Sequence, residues 1–186
     1  MRVHQFGYST LQSFDTCVTR LRSRVRALAA EESFILVGHS LGGVLIRAAL
    51  PGLEPIRPAA CFFLAPPNKV SKVAKFLSRN HLYRFLTRDS GQHLANASFM
   101  ESLAVPAVPF RVYAGTAGYK GRFSPFGQED NDGILAISET PLGDVGDVIR
   151  VPSLHTFIMN SAFVCRDIVV TSTSLHADCR SQQLPS

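Results

Sequence analysis

The junction around Ser40 constrains the fold of this chain more than any other sequence feature. Ser40 is the centre of a G-x-S-x-G motif that runs from Gly38 to Gly42. The apolar residues 34–37 before the motif are typical of a buried parallel strand. Residues 41–50 after it form a helical stretch that a Pro-Gly pair closes. The order strand, serine, helix predicts a sharp, strained turn that exposes the serine hydroxyl.

The residues around Ser40 that are predicted to form this turn, which we call the elbow, are Gly38, His39, Gly42 and Gly43. The glycines two residues either side of the serine would let the strand and the helix approach closely. His39 is the variable position of the motif, and its side chain is expected to point away from any neighbouring base. The alternative is a chance match, which the flanking strand and helix make less frequent.

The composition predicts one globular domain. Of the 186 residues, 46% are hydrophobic and 18% are charged, which excludes an intrinsically disordered chain. The apolar stretches are too short for an integral membrane segment, and the N-terminus has no apolar signal-peptide region. The four cysteines lack C-x-x-C spacing. We therefore expect a cytoplasmic protein.

The net charge of +5 raises the alternative of nucleic-acid binding. The densest basic run places arginines at positions 20, 22, 24 and 26. On a helix, this spacing spreads the guanidinium groups around the cylinder. No aromatic residues are interleaved to stack on bases. The run is therefore predicted to be a solvated basic face, and no nucleic-acid partner is expected.

The pattern along the chain predicts alternating strands and helices. Residues 3–6 are predicted as a short strand, and a capping box at residues 9–12 predicts the start of an amphipathic helix. Further strands are predicted at 59–65, 110–114 and 147–151, with a final helix at 156–170. The apolar face of the first helix comprises Leu11, Phe14, Val18, Leu21, Val25 and Leu28. This alternation predicts an α/β fold with a mostly parallel sheet and helices on both faces.

The predicted domain spans residues 1–171, and a polar tail at 172–186 is expected to be disordered. Within the domain, residues 66–109 lose the regular alternation. An excursion of this size between strands of an α/β enzyme commonly covers a binding cleft. Ordinary helices packed on the sheet are the alternative interpretation.

A nucleophilic serine needs a base, and His155 is the best candidate. Serine is a weak nucleophile until a neighbouring base removes its proton, and a third group must orient that base. On α/β-hydrolase sheets the chain order is serine, acid, histidine. His155 follows the last predicted strand and is flanked by apolar residues that would anchor it. A structural histidine is the alternative. The other histidines fit less well: His4, His39, His81, His93 and His176.

Asp132 is the predicted acid, with two rival interpretations. It lies between Asn131 and Gly133, and many aspartates in such turns only bond their own backbone. Together with Gln128, Asp130 and Glu139 it also matches most of a calcium-binding loop. That match fails at neutral Gln128 and lacks a preceding apolar helix. Two further acids remain as fallbacks, Asp144 and Asp147.

Six segments together resemble the small bacterial lipase/esterase-like branch of the α/β-hydrolase superfamily. They are QFGYST at 5–10, VGHSLGG at 37–43, LAPPN at 64–68, AGT at 114–116, NDGI at 131–134 and LHTFIM at 154–159. The likeness runs from about residue 3 to residue 170. It implies Ser40 as nucleophile, Asp132 as acid and His155 as base, the residues to which chain order also points.

The resemblance also implies a departure at the N-terminus. In the superfamily a strand and a helix precede the segment that resembles residues 3–6, and the loop between them, usually His-Gly, supplies one oxyanion-hole amide. We therefore expect a truncated N-terminal edge, with the Leu41 amide as the assignable oxyanion donor. Losing one such donor costs on the order of 10²–10³ in rate. An exposed sheet edge could also pair two copies of the chain.

The expected function is that of a serine esterase that uses no cofactor or metal. It would hydrolyse a small-molecule carboxylic ester that is lipid-like or carries a short acyl chain. Two alternatives use the same fold. One is a catalytically impaired hydrolase-like protein that acts by binding or as a scaffold, and the other is an acyltransferase that uses the same three residues. The third alternative is a calcium-stabilised binding domain.

Overall fold

A computed structural model describes residues 2–9, 12–29, 33–69, 96–143 and 148–181. In these ranges the chain forms a four-stranded parallel sheet in the order β1-β2-β3-β4. The strands are β1 Ile35–His39, β2 Ala60–Leu64, β3 Phe110–Gly115 and β4 Ile149–Val151. The predicted α/β fold class is confirmed.

Four helices accompany the sheet in the described residues. They are α1 Phe14–Leu28, α2 Leu41–Ala49, α3 Ala97–Ser102 and α4 Ala162–Ser181. Short 3₁₀ helices lie at Leu50–Gly52, Ile137–Glu139 and His155–Asn160. No helix in the described ranges combines the length and the apolar character that a membrane crossing requires.

The sheet is covered on both faces, and β2 shows this most clearly. All its residues are buried. Cys61 and Phe63 belong to the hydrophobic cluster that contains α1 and α2 residues. Phe62 and Leu64 point the other way, into a second cluster with Val164 of α4. Because successive side chains of a strand alternate between faces, a strand buried on both sides must be apolar throughout, as β2 is.

The N-terminal segment differs from the prediction. Residues 2–9 contain no strand, although residues 3–6 were expected to form one. Phe6 and Tyr8 instead pack as side chains against the core around α1 and α2. A strand needs a neighbour for its backbone groups, and β1 pairs with β2 alone among the described strands. β1 therefore lies at an edge of the sheet, and pairing of two copies through this edge stays a prediction.

Helix α1 begins later than the capping box predicts. Its N-cap is Ser13, whose Oγ accepts a hydrogen bond from the Thr16 amide at 3.2 Å. The box at residues 9–12 lies partly outside the described residues, because residues 10 and 11 are not described. The buried face otherwise follows the prediction, with Phe14 and Val18 in the core, while Leu28 is 36% exposed at the helix end.

In the predicted basic face on α1, Arg22 is half-buried and Arg26 is exposed, and both bond to backbone carbonyls at or after the end of α2. Arg22 donates from Nε to the Ala49 carbonyl at 3.1 Å and from Nη2 to the Ala48 carbonyl at 2.7 Å. Arg26 donates to the Gly52 carbonyl. The last carbonyls of a helix have no intrahelical partner and carry partial negative charge. Arg22 therefore satisfies the C-terminal end of α2, and Arg26 bonds to the end of the 3₁₀ helix that follows it.

The buried Arg47 ties α2 to the segment that follows α3. It donates to the carbonyls of Leu103 at 2.8 Å and Ala104 at 3.1 Å, and to Asn68 Oδ1 at 3.3 Å. Burial lowers the pKa of Arg47 to about 10. The guanidinium remains protonated at neutral pH, so it holds these acceptors against α2, the helix that follows the elbow.

Helix α4 runs into the segment predicted to be a disordered tail. It continues to Ser181, past the predicted domain end at residue 171. Ser172, Thr173 and Ser174 donate their hydroxyls to carbonyls four residues earlier, at 2.6–3.1 Å. Leu175 packs against the second hydrophobic cluster, which contains Phe62 and Val164. Polar composition therefore did not prevent a helix, because hydroxyls bonded to the helix backbone need no other partner.

Some predictions lie outside the described residues. Most of the predicted cleft-covering segment is among them, since residues 70–95 are not described. His81 and His93 belong to that range, and the fallback acids Asp144 and Asp147 lie in 144–147. The side chain of His176 is likewise not described.

Candidate active site

Ser40 lies on a strained turn between β1 and α2. Its backbone has φ 52° and ψ −124°, a conformation that residues other than glycine rarely adopt. Its amide donates to the Leu64 carbonyl at 2.9 Å, which anchors the turn at the carboxyl end of β2. Its carbonyl accepts from the Gly43 amide at 2.9 Å. The strand-turn-helix geometry predicted for the elbow is therefore present.

The elbow glycines have different steric roles. A Cβ on Gly38 would lie 2.7 Å from the Gly43 nitrogen, so Gly38 and Gly43 are the pair that brings strand and helix together. A Cβ on Gly43 would lie 3.2 Å from the Phe63 side chain. At Gly42 the nearest atom would be the Tyr8 hydroxyl at 3.9 Å, an ordinary contact. The prediction that Gly42 is needed for the close approach is wrong.

Asp132 divides its carboxylate between the backbone and a histidine. Its Oδ1 accepts from the amides of Ile134 at 2.9 Å and Leu135 at 2.7 Å. Its Oδ2 lies 2.7 Å from His155 Nδ1. The side chain is 1% exposed. The turn and the acid were rival interpretations in the sequence, and the structure combines them, because the turn bonds fix the oxygen that the histidine does not use.

His155 connects the carboxylate to the serine. It begins the 3₁₀ helix His155–Asn160, and its backbone amide donates to the Asp132 carbonyl at 2.9 Å. With Nδ1 on the carboxylate, its Nε2 lies 2.9 Å from Ser40 Oγ. The ring is buried. The three side chains thus form one hydrogen-bonded line, with the geometry that proton transfer from a serine to a histidine requires.

His39 stands beside the base, not away from it. Its Nε2 lies 3.0 Å from the His155 carbonyl oxygen, and the centroids of the two rings are 5.0 Å apart. The expectation that His39 points away from the base is therefore wrong. Burial lowers the pKa of His39, which favours the neutral ring at neutral pH.

Asn131 is a site residue that the sequence analysis used only as a turn residue. It is fully buried, and its Nδ2 donates to the carbonyls of Tyr119 at 3.1 Å and Glu129 at 3.0 Å. Its Oδ1 accepts from the Gly133 amide at 2.9 Å. A Cβ on Gly118 would lie 1.8 Å from that oxygen. Asn131 therefore locks the loop that presents Asp132, and only the fold shows that Gly118 lies against it.

The calcium-loop interpretation does not match the placement of its carboxylates. Asp130 pairs with Lys120 and, at 2.7 Å, with Arg150. Glu139 accepts from the Ala136 amide at 2.8 Å. Asp132 is held by its own loop and by the histidine. Across the described ranges, no group of three or more His, Cys, Asp or Glu side chains is placed to hold a metal ion.

Leu41 begins α2 directly after the serine. The first amides of a helix have no intrahelical acceptor, and the Leu41 N–H is one of them. Of the competing histidines in the described residues, His4 is exposed in the N-terminal segment. His155 is the ring that reaches both the serine and the acid.

Comparison with known proteins places the fold. The chain is similar to the mature lipase BlEst2 of Bacillus licheniformis, with a TM-score of 0.59 and 19% identity over 90% of this chain and 74% of that one. The fold is α/β-hydrolase-like. The chain is also similar to the phospholipase PlaB of Legionella pneumophila in complex with thio-NAD, with a TM-score of 0.50, 17% identity and 75% of this chain covered.

The chain spans about a third of PlaB, 35% of its length. No family model matches the sequence, and no curated protein matches it. At identities below one fifth, the likeness concerns the path of the backbone, so chemistry must be argued from the side chains of this chain.

Proposed function

We propose that this chain is a serine hydrolase that cleaves carboxylic esters through an acyl-enzyme. It would belong to the small bacterial lipase/esterase-like branch of the superfamily. The observation that carries the proposal is the line from Ser40 Oγ through His155 to Asp132, with separations of 2.9 and 2.7 Å. It stands on an elbow whose serine has the positive φ expected of a strained, exposed nucleophile.

The proposed mechanism follows from this geometry. Ser40 Oγ attacks the acyl carbon while His155 Nε2 takes the hydroxyl proton, and the Leu41 amide donates to the resulting oxyanion. The tetrahedral intermediate collapses when His155 returns that proton to the leaving alcohol. Water then attacks the acyl-enzyme by the same steps and releases the acid. Asp132 holds the proton on Nδ1 and stabilises the imidazolium.

The surroundings of the base favour an apolar acyl group. Leu154 directly precedes His155 and is 42% exposed, and Phe157 two residues after it is 59% exposed. Ile134, two residues after the acid, is 44% exposed. Exposed apolar side chains that lie close in the chain to the base and the acid suit the hydrocarbon part of a substrate. Short acyl or lipid-like esters are therefore the proposed substrates.

Intact mass after treatment with a fluorophosphonate tests the proposal. The wild type should gain one adduct, and Ser40→Ala should gain none. His155→Ala should react about 10²–10⁴-fold more slowly, because it lacks the base. A folded, monodisperse wild type without an adduct would contradict the proposal and favour a hydrolase-like binding or scaffold protein.

The same preparations separate hydrolysis from acyl transfer. A chromogenic ester is incubated with and without an acceptor alcohol, and the products are quantified by mass spectrometry. Hydrolysis predicts mainly the free acid in both reactions. A new ester that dominates whenever the alcohol is present, and that disappears in Ser40→Ala, would instead identify an acyltransferase. Adding calcium should leave the melting temperature unchanged.

A further inference from the structure

The backbone of His155 is held by a side chain from much earlier in the chain. His39, 116 residues before it, lies with Nε2 3.0 Å from the His155 carbonyl oxygen. A carbonyl oxygen can only accept, so this nitrogen must carry the proton and donate. The rings of the two histidines also pack together, with centroids 5.0 Å apart and planes tilted by 50°.

This bond differs in kind from the other bonds of His155. The backbone amide and Nδ1 of His155 both bond to Asp132, at 2.9 and 2.7 Å, so they tie the base to the acid loop. The bond from Nε2 to Ser40 Oγ is the one that changes during proton transfer. His39 therefore supplies the bond that ties the backbone of the base to the strand carrying the nucleophile.

The position of His39 places this bond close to the reacting atoms. His39 is the last residue of β1 and is adjacent to Ser40, which lies on the strained turn. The carbonyl that His39 holds belongs to the same residue as the reacting Nε2. Both ends of the bond thus lie within one residue of the pair of atoms that exchange the proton.

We propose that His39 is a positioning residue, whose Nε2–H holds the His155 carbonyl and keeps His155 Nε2 at transfer distance from Ser40 Oγ. This inference rests on the proposed hydrolase function. A displacement of about 1 Å at a reacting centre can cost about 10²-fold in rate. Because burial lowers the pKa of His39, the ring is neutral and adds no positive charge beside His155 when that ring takes up the serine proton.

Two variants of similar size test the role. His39→Leu removes the donor, whereas His39→Gln retains an N–H at a comparable reach. We expect His39→Leu to lower kcat and the fluorophosphonate labelling rate by about 10- to 100-fold, with KM little changed. His39→Gln should recover most of the loss. Equal losses in the two variants would overturn the proposal.

The double variant separates positioning from a general structural effect. If His39 acts through the base, His39→Leu should cause no further loss of labelling in a His155→Ala background. A loss there as large as in the wild-type background would overturn the positioning role. Thermal unfolding of each variant confirms that folded proteins are being compared.

A proton NMR measurement keeps this proposal independent of activity. The Nδ1 proton of His155, bonded to Asp132, should give a low-field resonance that is absent from His155→Ala. His39→Leu should shift or broaden it, and His39→Gln should not. If the resonance behaves in this way across the wild type and the variants but the wild type gains no fluorophosphonate adduct, the hydrolase function fails while the positioning role stands. A resonance unchanged in His39→Leu overturns the positioning role.

Discussion

At the scale of single residues, the carboxylate of Asp132 can be tested without disturbing its loop. In Asp132→Asn, Oδ1 can still accept from the amides of Ile134 and Leu135. The amide nitrogen that replaces Oδ2 would donate to His155, which favours the wrong tautomer of the base. We expect the labelling rate and kcat to fall by about 10²–10⁴-fold with little change in melting temperature.

The neighbouring carboxylate provides the matched control. Asp130 is half-buried, pairs with Lys120 and Arg150, and does not bond His155. Asp130→Asn should therefore keep the labelling rate of the wild type. A comparable loss in the two variants would show that the effect of Asp132→Asn reflects the charge of the loop and not the bond to the base.

The sequence could predict some site residues because their order and local motifs are informative. Ser40 has a motif with a backbone consequence, and Asp132 and His155 follow it in the order that this sheet topology allows. The roles of His39 and Asn131 were not predictable in the same way. His39 bonds to the backbone of His155, and Asn131 bonds to the backbone of Tyr119. Such bonds between separate segments produce no periodic pattern in the sequence.

At the scale of elements, the elbow glycines predict a graded effect on stability. Gly38→Ala would place a Cβ 2.7 Å from backbone that cannot move away, so we expect a loss of about 1–3 kcal/mol in the free energy of unfolding. Gly43→Ala meets side chains at 3.2 and 3.3 Å and should cost less. Gly42→Ala meets nothing closer than 3.9 Å and should stabilise by up to about 1 kcal/mol, because alanine favours helix.

Urea unfolding of the three alanine variants measures this order. Gly42→Ala serves as the internal control, since it belongs to the same motif and the same helix turn as Gly43. If Gly42→Ala were as damaging as Gly38→Ala, the steric explanation of the motif would be wrong. The flexibility of glycine in the turn would then be the property that matters.

Strands and helices were predictable where burial decides them. β2 and β3 lie where the apolar runs predicted them, since a strand covered on both faces has few polar positions. The predicted strand at residues 3–6 failed because the sequence pattern cannot supply a neighbour for its backbone. Helix α4 extends past its predicted end, because the hydroxyls of Ser172 and Thr173 donate to carbonyls of the helix backbone.

At the scale of the whole molecule, the outer edge of β1, which pairs with no further strand in the described residues, predicts self-association. Val37 lies in the middle of β1 and is 48% exposed. Exposed apolar edge strands can pair with other chains, and a lysine at such an edge prevents this pairing. We expect the sedimentation coefficient of the wild type to rise with concentration, and that of Val37→Lys to stay constant.

The control must add the same charge elsewhere. Val3 is 84% exposed in the N-terminal segment, outside the sheet. Val3→Lys should therefore associate as the wild type does. If both lysine variants abolish association, net charge and not the β1 edge controls it. A wild type that stays monomeric at all concentrations would contradict the predicted pairing.

Stability against acid should depend on the bonds between α4 and β3. Asp167 of α4 accepts from Arg111 and from the buried Tyr113, each at 2.6 Å. Burial alone would raise the pKa of Asp167, but the hydrogen bonds from these two residues outweigh it and hold the pKa below its usual value. Asp167→Asn removes the charge at almost constant size, and we expect it to cost about 1–3 kcal/mol in the free energy of unfolding at neutral pH.

The pH dependence of that cost distinguishes an ionic contact from simple packing. Because the pKa of Asp167 is lower in the folded chain than in the unfolded one, its contribution is complete above the unfolded value, about pH 4, and is lost as the pH falls through the folded value. The difference between wild type and Asp167→Asn should therefore shrink below about pH 4 in urea unfolding. Glu101→Gln, which removes an exposed carboxylate of α3, should show no such change. A difference for Asp167→Asn that is constant with pH would mean that shape, and not charge, fastens α4 to the sheet.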